Sequence, residues 1–262
     1  MKLEILVSCM NQMDYSILDE INIQSDVVVI NQCGKSHFDE FKYKVKNGNE
    51  HNVKFFSVDQ VGLSKSRNKA LSNSSSDICL LCDDDEFLFD GSSDLIINAF
   101  IENPSFDIIA FGLDYSKKKY PNTRKKLGRF DLLKINSPQI AFKRDRVIGN
   151  ELSFDELMGS GTGNGGGEEN KFLMDCYNSG LKILFLPEKI ARINSSSPSL
   201  WNSGFDERYF INRGWSTRRI LGLPFSFLYS MLFTISKYKM YKSKVSLFDA
   251  FKLQVIGILK AK

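Results

Sequence analysis

Apolar and polar positions along this chain alternate in short blocks rather than in one long periodic pattern. Residues 3–8 form an apolar run, and 26–30, 53–58, 77–82 and 107–113 repeat it. Short apolar runs rich in β-branched side chains predict buried strands. Between them, residues 15–21, 62–71 and 95–101 carry apolar side chains at helical spacing. A short strand is predicted over 139–143, and a late one over 182–186, closed by Pro187. Strands alternating with helices predict an α/β fold with a mostly parallel central sheet flanked by helices. Such sheets bind ligands outside the carboxyl ends of their strands.

One strand end is chemically loaded. Asp83-Asp84-Asp85-Glu86 follow directly on Ile78-Cys79-Leu80-Leu81-Cys82. At an effective dielectric of ~20, two like charges ~4 Å apart cost ~4 kcal/mol. A divalent cation carrying a diphosphate turns that repulsion into attraction, and Mn²⁺ or Mg²⁺ suits carboxylate oxygens. A second acidic pair, Glu168-Glu169, opens a predicted helix, where carboxylates also favour the helix dipole. Before it runs Gly159-Ser160-Gly161-Thr162-Gly163-Asn164-Gly165-Gly166-Gly167. Gly161-x-Gly163-x-x-Gly166, with Glu188 about twenty residues on, matches the letter of a dinucleotide fingerprint. The context differs. Residues 150–158 are polar and acidic, and two acids occupy the helix start that a pyrophosphate needs free. A loop that orders over a bound substrate is the better expectation. The basic stretch from Lys117 to Arg129 predicts a mobile connection that could add positive charge near phosphates.

With 262 residues and 42% hydrophobic content, the chain suits one large α/β domain with a tail. A net charge of +4 gives no indication of nucleic-acid binding. The first residues are strand-like and too short for a signal peptide, which predicts a cytoplasmic protein. Five cysteines, an odd number, predict reduced thiols. Cys79 and Cys82 fall in a strand, where positions three apart face opposite sides. Two histidines leave little room for a histidine-based metal site or triad.

The carboxyl-terminal part changes character, so the division expected is 1–214 for the catalytic domain and 215–262 for an amphipathic helical segment. Residues 221–235 are apolar and aromatic but short for a membrane span of ~20 residues. Lys237, Lys239, Lys242, Lys244, Lys252, Lys260 and Lys262 then face one acid, Asp249. Phe248, Phe251, Val255 and Leu259 keep helical spacing. That pattern fits helices lying on an anionic membrane surface. It also fits helices packed on the catalytic domain or on a homodimer partner.

Four blocks of this chain together resemble family 2 glycosyltransferases of the GT-A fold. They are Val7-Ser8-Cys9-Met10-Asn11-Gln12, Val28-Val29-Ile30-Asn31-Gln32, Gly62–Leu71 followed by Asp83-Asp84-Asp85, and Gly167-Glu168-Glu169-Asn170-x-Phe172. The resemblance implies a nucleotide-sugar donor, UDP-linked by expectation, held by Ser8, Met10, Asn31, Ser64, Arg67, Asp83 and Asp84. It implies Mn²⁺ or Mg²⁺ on Asp85 and Asp83, and a catalytic base at Glu169 with Glu168 as the alternate. Asn31 stands where many members carry an aspartate, and Glu-Glu where the family usually has Glu-Asp. The stretch Leu184–Glu188 and residues 197–210 are similar to bacterial members that build surface polysaccharides. This implies a lipid-linked glycan acceptor for a capsule, exopolysaccharide or O-antigen, at the inner face of the membrane. Arg192-Ile193-Asn194 replace a histidine found there in several such proteins. Two other classes remain open from the residues. One is a non-catalytic nucleotide- or glycan-binding module of the same fold, and the other a dinucleotide-dependent oxidoreductase. A nucleotidyltransferase would need glycines after the first strand, and Ser8–Asn11 has none.

Overall fold

A computed structural model describes residues 1–45, 48–116, 118–164, 166–193 and 204–261. Its strands are β1 (Leu3–Met10), β2 (Asp26–Gln32), β3 (His37–Lys44), β4 (Glu50–Val58), β5 (Ile78–Asp83), β6 (Glu86–Leu88), β7 (Ile108–Asp114), β8 (Lys125–Lys126), β9 (Ile140–Lys143) and β10 (Ile183–Ile193). Its helices are α1 (Ile17–Glu20), α2 (Leu63–Asn73), α3 (Ser92–Glu102), α4 (Arg144–Ile148), α5 (Glu168–Asn178), α6 (Glu207–Leu221), α7 (Leu223–Tyr241) and α8 (Leu247–Lys260).

The apolar runs become the centre of one ten-stranded sheet, ordered β3-β4-β2-β1-β5-β9-β7-β10-β6, with β8 on β10. The β4-β2-β1-β5 half is parallel. Strand β9 then inserts antiparallel between β5 and β7, so the sheet is mixed. Both faces of its centre are buried. Ile5, Val7, Val27, Val29 and Leu80 join the core on one face. Their neighbours Leu6, Val28, Ile30 and Leu81 join the core on the other. That is why these strands read as continuous apolar runs. Helices α1 and α3 cover the first face, and α2 and α5 the second. Cys79 and Cys82 point to opposite faces, and every cysteine is free.

Several local features depart from the sequence reading. Strand β3 pairs antiparallel on β4 as an edge, and its mixed polar pattern hides it. Strand β10 continues past Pro187, through register shifts at Leu186/Lys189 and Lys189/Ala191. A proline is tolerated where a bulge interrupts the ladder. Gly112 makes room there, because a Cβ on it would sit 2.5 Å from the Pro187 carbonyl. The basic stretch expected to be a mobile loop is tied down. Lys125–Lys126 form β8, Arg124 donates to Asn103 at 2.9 Å, and Arg129 donates to Asn178 at 2.8 Å. Lys117 itself lies outside the described residues.

The boundary expected between 214 and 215 falls inside α6. That helix packs on α8 through Gly214 and Gly257, where an added Cβ would meet backbone oxygens at 2.0 and 1.9 Å. Phe210, Phe233, Tyr241 and Ala250 fill a small core between α6, α7 and α8. Among the described residues no helix is long and apolar enough to cross a membrane.

Candidate active site

Strand β5 is parallel to β1 and ends beside Ser8, so its acids emerge at the carboxyl edge of the sheet. They do not share one fate. Asp83 accepts two hydrogen bonds from Arg67, at 2.8 and 3.2 Å, and one from the Ser137 hydroxyl at 2.8 Å. Asp84 and Asp85 form the turn into β6, and all three aspartates line a cavity of about 1150 Å³. Burial and the charges of Asp83 and Asp84 push Asp85 up to about 6. Burial and Asp83 also raise Asp84. Glu86 turns inward, and its Oε1 accepts the Asp83 N–H at 2.8 Å. Burial, then the charge of Asp83, pushes it well above the carboxylate range.

Helix α5 delivers the second acidic pair. Gly167 caps it with φ at +100°, a left-handed conformation that glycine adopts without strain. Glu168 points into the protein and accepts from Arg67 at 3.0 Å, while its Oε2 is buried with no partner among the described residues. Glu169 lines the cavity. Its pKa is raised by burial first and by Glu168 next, against the opposing charge of Arg67. Asn170 anchors this turn by donating to the Leu132 and Ile135 carbonyls at 2.9 and 2.8 Å.

Arg67 joins the two acidic groups from behind. Its side chain is 1% exposed and lies 5.5 Å from the Phe154 ring centroid. Burial alone would lower its pKa, but the charges of Asp83 and Glu168 outweigh that and raise it. It is a strut beneath the cavity and is not among the lining residues.

The remaining residues assigned from the sequence divide in the same way. Ser8 and Met10 line the cavity, and Ser8 accepts from Ser66 at 2.9 Å. Asn31 is buried and does not line it. Its amide instead clamps Gln12, donating to the carbonyl at 2.9 Å and accepting the N–H at 3.0 Å. Ser64 is also buried, donating to the Met158 carbonyl at 2.7 Å. It pins the glycine loop to α2.

Sequence reasoning passed over Gln32, Ser137 and the α6 face. Gln32 lines the cavity and accepts the Gly62 N–H at 2.7 Å. Its place at a strand end was a usable signal. Nothing local marked Ser137. Lys118, in the basic stretch, donates to the Lys134 carbonyl and to Asn136 at 2.5 and 2.9 Å. Burial lowers it to about 8 against the opposing charge of Glu169.

The glycine run follows turns rather than a strand, and several of its residues line the cavity. Gly165 lies outside the described residues. The strand–turn–helix context of a dinucleotide fingerprint is missing, so the oxidoreductase alternative is dropped. At the end of β10, Arg192 lies 4.4 Å from the Phe87 ring centroid and Ile193 lines the cavity. Asn194 and residues 197–203 lie outside the described residues. Among the described residues, no group of three or more His, Cys, Asp or Glu is placed to hold a metal.

The sequence model of Glycosyl transferase family 2 matches residues 5–161, more than half of the chain. No curated protein matches. Among solved structures, S. aureus TarS 1-349 in complex with UDP-GlcNAc superposes with a TM-score of 0.66 at 16% identity, covering 98% of this chain and 79% of that one. The same fragment in complex with UDP gives 0.62 at 17%, covering 98% and 81%. A longer S. aureus TarS chain gives 0.58 at 16%, covering 95% of this chain and 46% of that one. With a mixed sheet flanked by helices and acids at the strand ends, the chain has the GT-A fold and belongs to glycosyl transferase family 2.

Proposed function

We propose that this glycosyltransferase moves a sugar from a UDP-sugar, with inversion, to a hydroxyl of a lipid-linked glycan used in capsule, exopolysaccharide or O-antigen synthesis. The observation that carries the reading is one cavity lined by Asp85 from the β5 turn and Glu169 from α5, with Arg67 bracing both groups from behind. The TarS complexes with UDP-GlcNAc and UDP favour a UDP-linked donor, and an N-acetylhexosamine is a reasonable sugar.

Asp85 and Asp83 fit Mn²⁺ or Mg²⁺ that arrives with its substrate. Two carboxylates completed by phosphate oxygens and water are a usual set for such ions. Raised values at Asp84 and Asp85 mark a spot where added positive charge is favourable. When bound, the ion would neutralise charge on the leaving diphosphate. The chain's own groups do the rest. Arg67 and Ser137 fix Asp83. Glu169 takes the proton from the acceptor hydroxyl as that oxygen attacks C1 and the C1–O bond to the diphosphate breaks. Its raised pKa makes it a stronger base. Glu168 is the poorer candidate, because it is buried against Arg67. The glycine loop closes over the reacting groups and excludes water.

Leu228, Met231, Leu232 and Ile235 on α7, at helical spacing, are exposed, and so are Phe248 and Leu259 on α8. Exposed Lys237, Lys239 and Lys242 follow Ile235. These side chains suit peripheral contact with anionic lipid near the acceptor. Co-sedimentation with phosphatidylglycerol vesicles should be lost in Leu232→Glu/Ile235→Glu. A dimer in sedimentation velocity, with no vesicle binding, would assign the face to a second copy.

The deciding experiment is thermal stabilisation by UDP, GDP, CDP, TDP and NAD, with and without Mn²⁺, on wild type and Asp85→Ala. A ligand at about a hundred times its Kd adds ~2.7 kcal/mol. A Mn²⁺-dependent gain with UDP, absent in Asp85→Ala, is the expected result. A gain that needs no metal removes Asp85 from the reading. Inversion is checked by NMR of the product's anomeric configuration, and retention overturns it.

A further inference from the structure

The cavity has a second charged wall, which the donor chemistry above leaves unused. Helix α6 reaches the site at Ile220, whose Cδ1 lies 3.1 Å from where a Cβ on Gly167 would stand. Towards its start, α6 also presents Thr217, Arg213 and Arg208 to the cavity. At ~1.5 Å per residue, Arg213 stands ~10 Å and Arg208 ~18 Å along the axis from Ile220.

Neither arginine has an ion-pair partner among the described residues, whereas Arg219 on the same helix pairs with Asp155 at 2.6 Å. The Arg213 guanidinium lies 3.6 Å from the Phe233 ring centroid, and its Nη2 donates to the Tyr229 hydroxyl at 3.2 Å. Its Nε is buried with no acceptor among the described residues. Among the described residues Arg208 reaches only the Gly163 carbonyl, at 3.4 Å. Positioned guanidinium forks match phosphate oxygens in both charge and geometry. There is room as well. The cavity of about 1150 Å³ exceeds the ~300–1,000 Å³ of a site for one small molecule.

We infer that α6 forms an acceptor subsite for a phosphate ester, with Arg213 and Arg208 holding a phosphate group of the acceptor. This rests on the transfer reading above and adds to it the chemical class of the acceptor. The phosphate can belong to a soluble sugar phosphate or to a lipid headgroup.

The test is calorimetric titration of the full chain, saturated with UDP and Mn²⁺, with a hexose, its 6-phosphate and decyl phosphate. At least one phosphate should bind about tenfold or more tighter than the hexose, and Arg213→Gln should remove that margin. The tighter of the two phosphates identifies the source. Arg208→Gln, on an exposed side chain, should weaken the same ligand and guards against a folding failure in Arg213→Gln. UDP affinity should stay unchanged in both variants. A fall in UDP affinity with phosphate binding intact would give the arginines to the donor's diphosphate and overturn the inference. Phosphates binding no tighter than the hexose would also overturn it. If UDP with Mn²⁺ does not bind, the donor reading fails instead, and the same titrations on UDP-free protein still decide the subsite.

Discussion

The turn after β5 and the first turn of α5 each set adjacent acids at the end of an element, and each commits one acid to Arg67. Asp83 and Glu168 are the committed ones. Asp84 and Asp85 in one place, and Glu169 in the other, face the cavity without a bond to Arg67, and Asp83 keeps an edge in it beside them. The difference lies in what surrounds the free acids. Burial is the first cause of the rise at both Asp85 and Glu169, but Asp85 sits beside two like charges in a turn and rises to about 6, so it is ionised near neutral pH and its cluster is short of positive charge. Glu169 stands by Glu168 and Asp83, and Arg67, which is bonded to both, offsets part of their charge. The same carboxyl chemistry is thereby set for two tasks, holding positive charge and taking a proton. Environment, rather than residue type, separates them.

Removing the free acid of α5 is the strongest way to break this comparison. Glu169→Gln should lower the transfer rate by ~10²–10⁴, read as UDP release, with UDP binding unchanged. Glu168→Gln should act mainly on stability, because it leaves Arg67 with less compensation. If Glu168→Gln abolishes transfer and Glu169→Gln does not, the two roles are exchanged. Removing the shared strut is the next largest test. Arg67→Met leaves buried acids uncompensated, and breaking a buried pair costs ~3–5 kcal/mol, measurable by urea unfolding. Arg67→Lys keeps the charge but loses the fork that reaches both acids, and should fall between. A stable Arg67→Met protein with full activity would mean that the two clusters are independent.

Much of this was legible because it is local. Apolar runs mark the buried strands, and acids directly after a strand mark a ligand edge whatever the rest of the fold. What could not be read was direction and distance. Asn31 and Ser64 occupy positions where nucleotide contacts were expected, yet both side chains turn inward to hold backbone at Gln12 and Met158. Position along a strand or helix does not tell which way a polar side chain is used. Arg67 was recognisable as important, but its partners lie 16 and 101 residues away. No local pattern connects them. The α6 wall was harder still. Its place depends on Gly214 and Gly257 letting two helices approach closely, so residues assigned to a separate tail became part of the cavity. Pro187 misled for a different reason, since a bulge against Gly112 lets the strand continue.

The smallest effect tests the Glu169 environment directly through pH. Because its folded pKa is raised above the unfolded value, its contribution to stability is fully present below the ordinary glutamate range and is lost as pH rises through the folded pKa. Its share of the unfolding free energy should therefore fall by at most ~1.4 kcal/mol per pH unit across that interval. Catalysis has the opposite sign. A base must be deprotonated to act, so kcat should climb over the same interval in which this contribution to stability declines. Glu169→Gln should flatten both slopes, and comparing it with wild type isolates this residue from every other titrating group. If wild type instead gains stability over the variant as pH rises, Arg67 outweighs burial and holds the carboxylate ionised. Glu169 would then be held by Arg67 as Asp83 and Glu168 are, and the division between charge-holding and proton-taking sites would not stand.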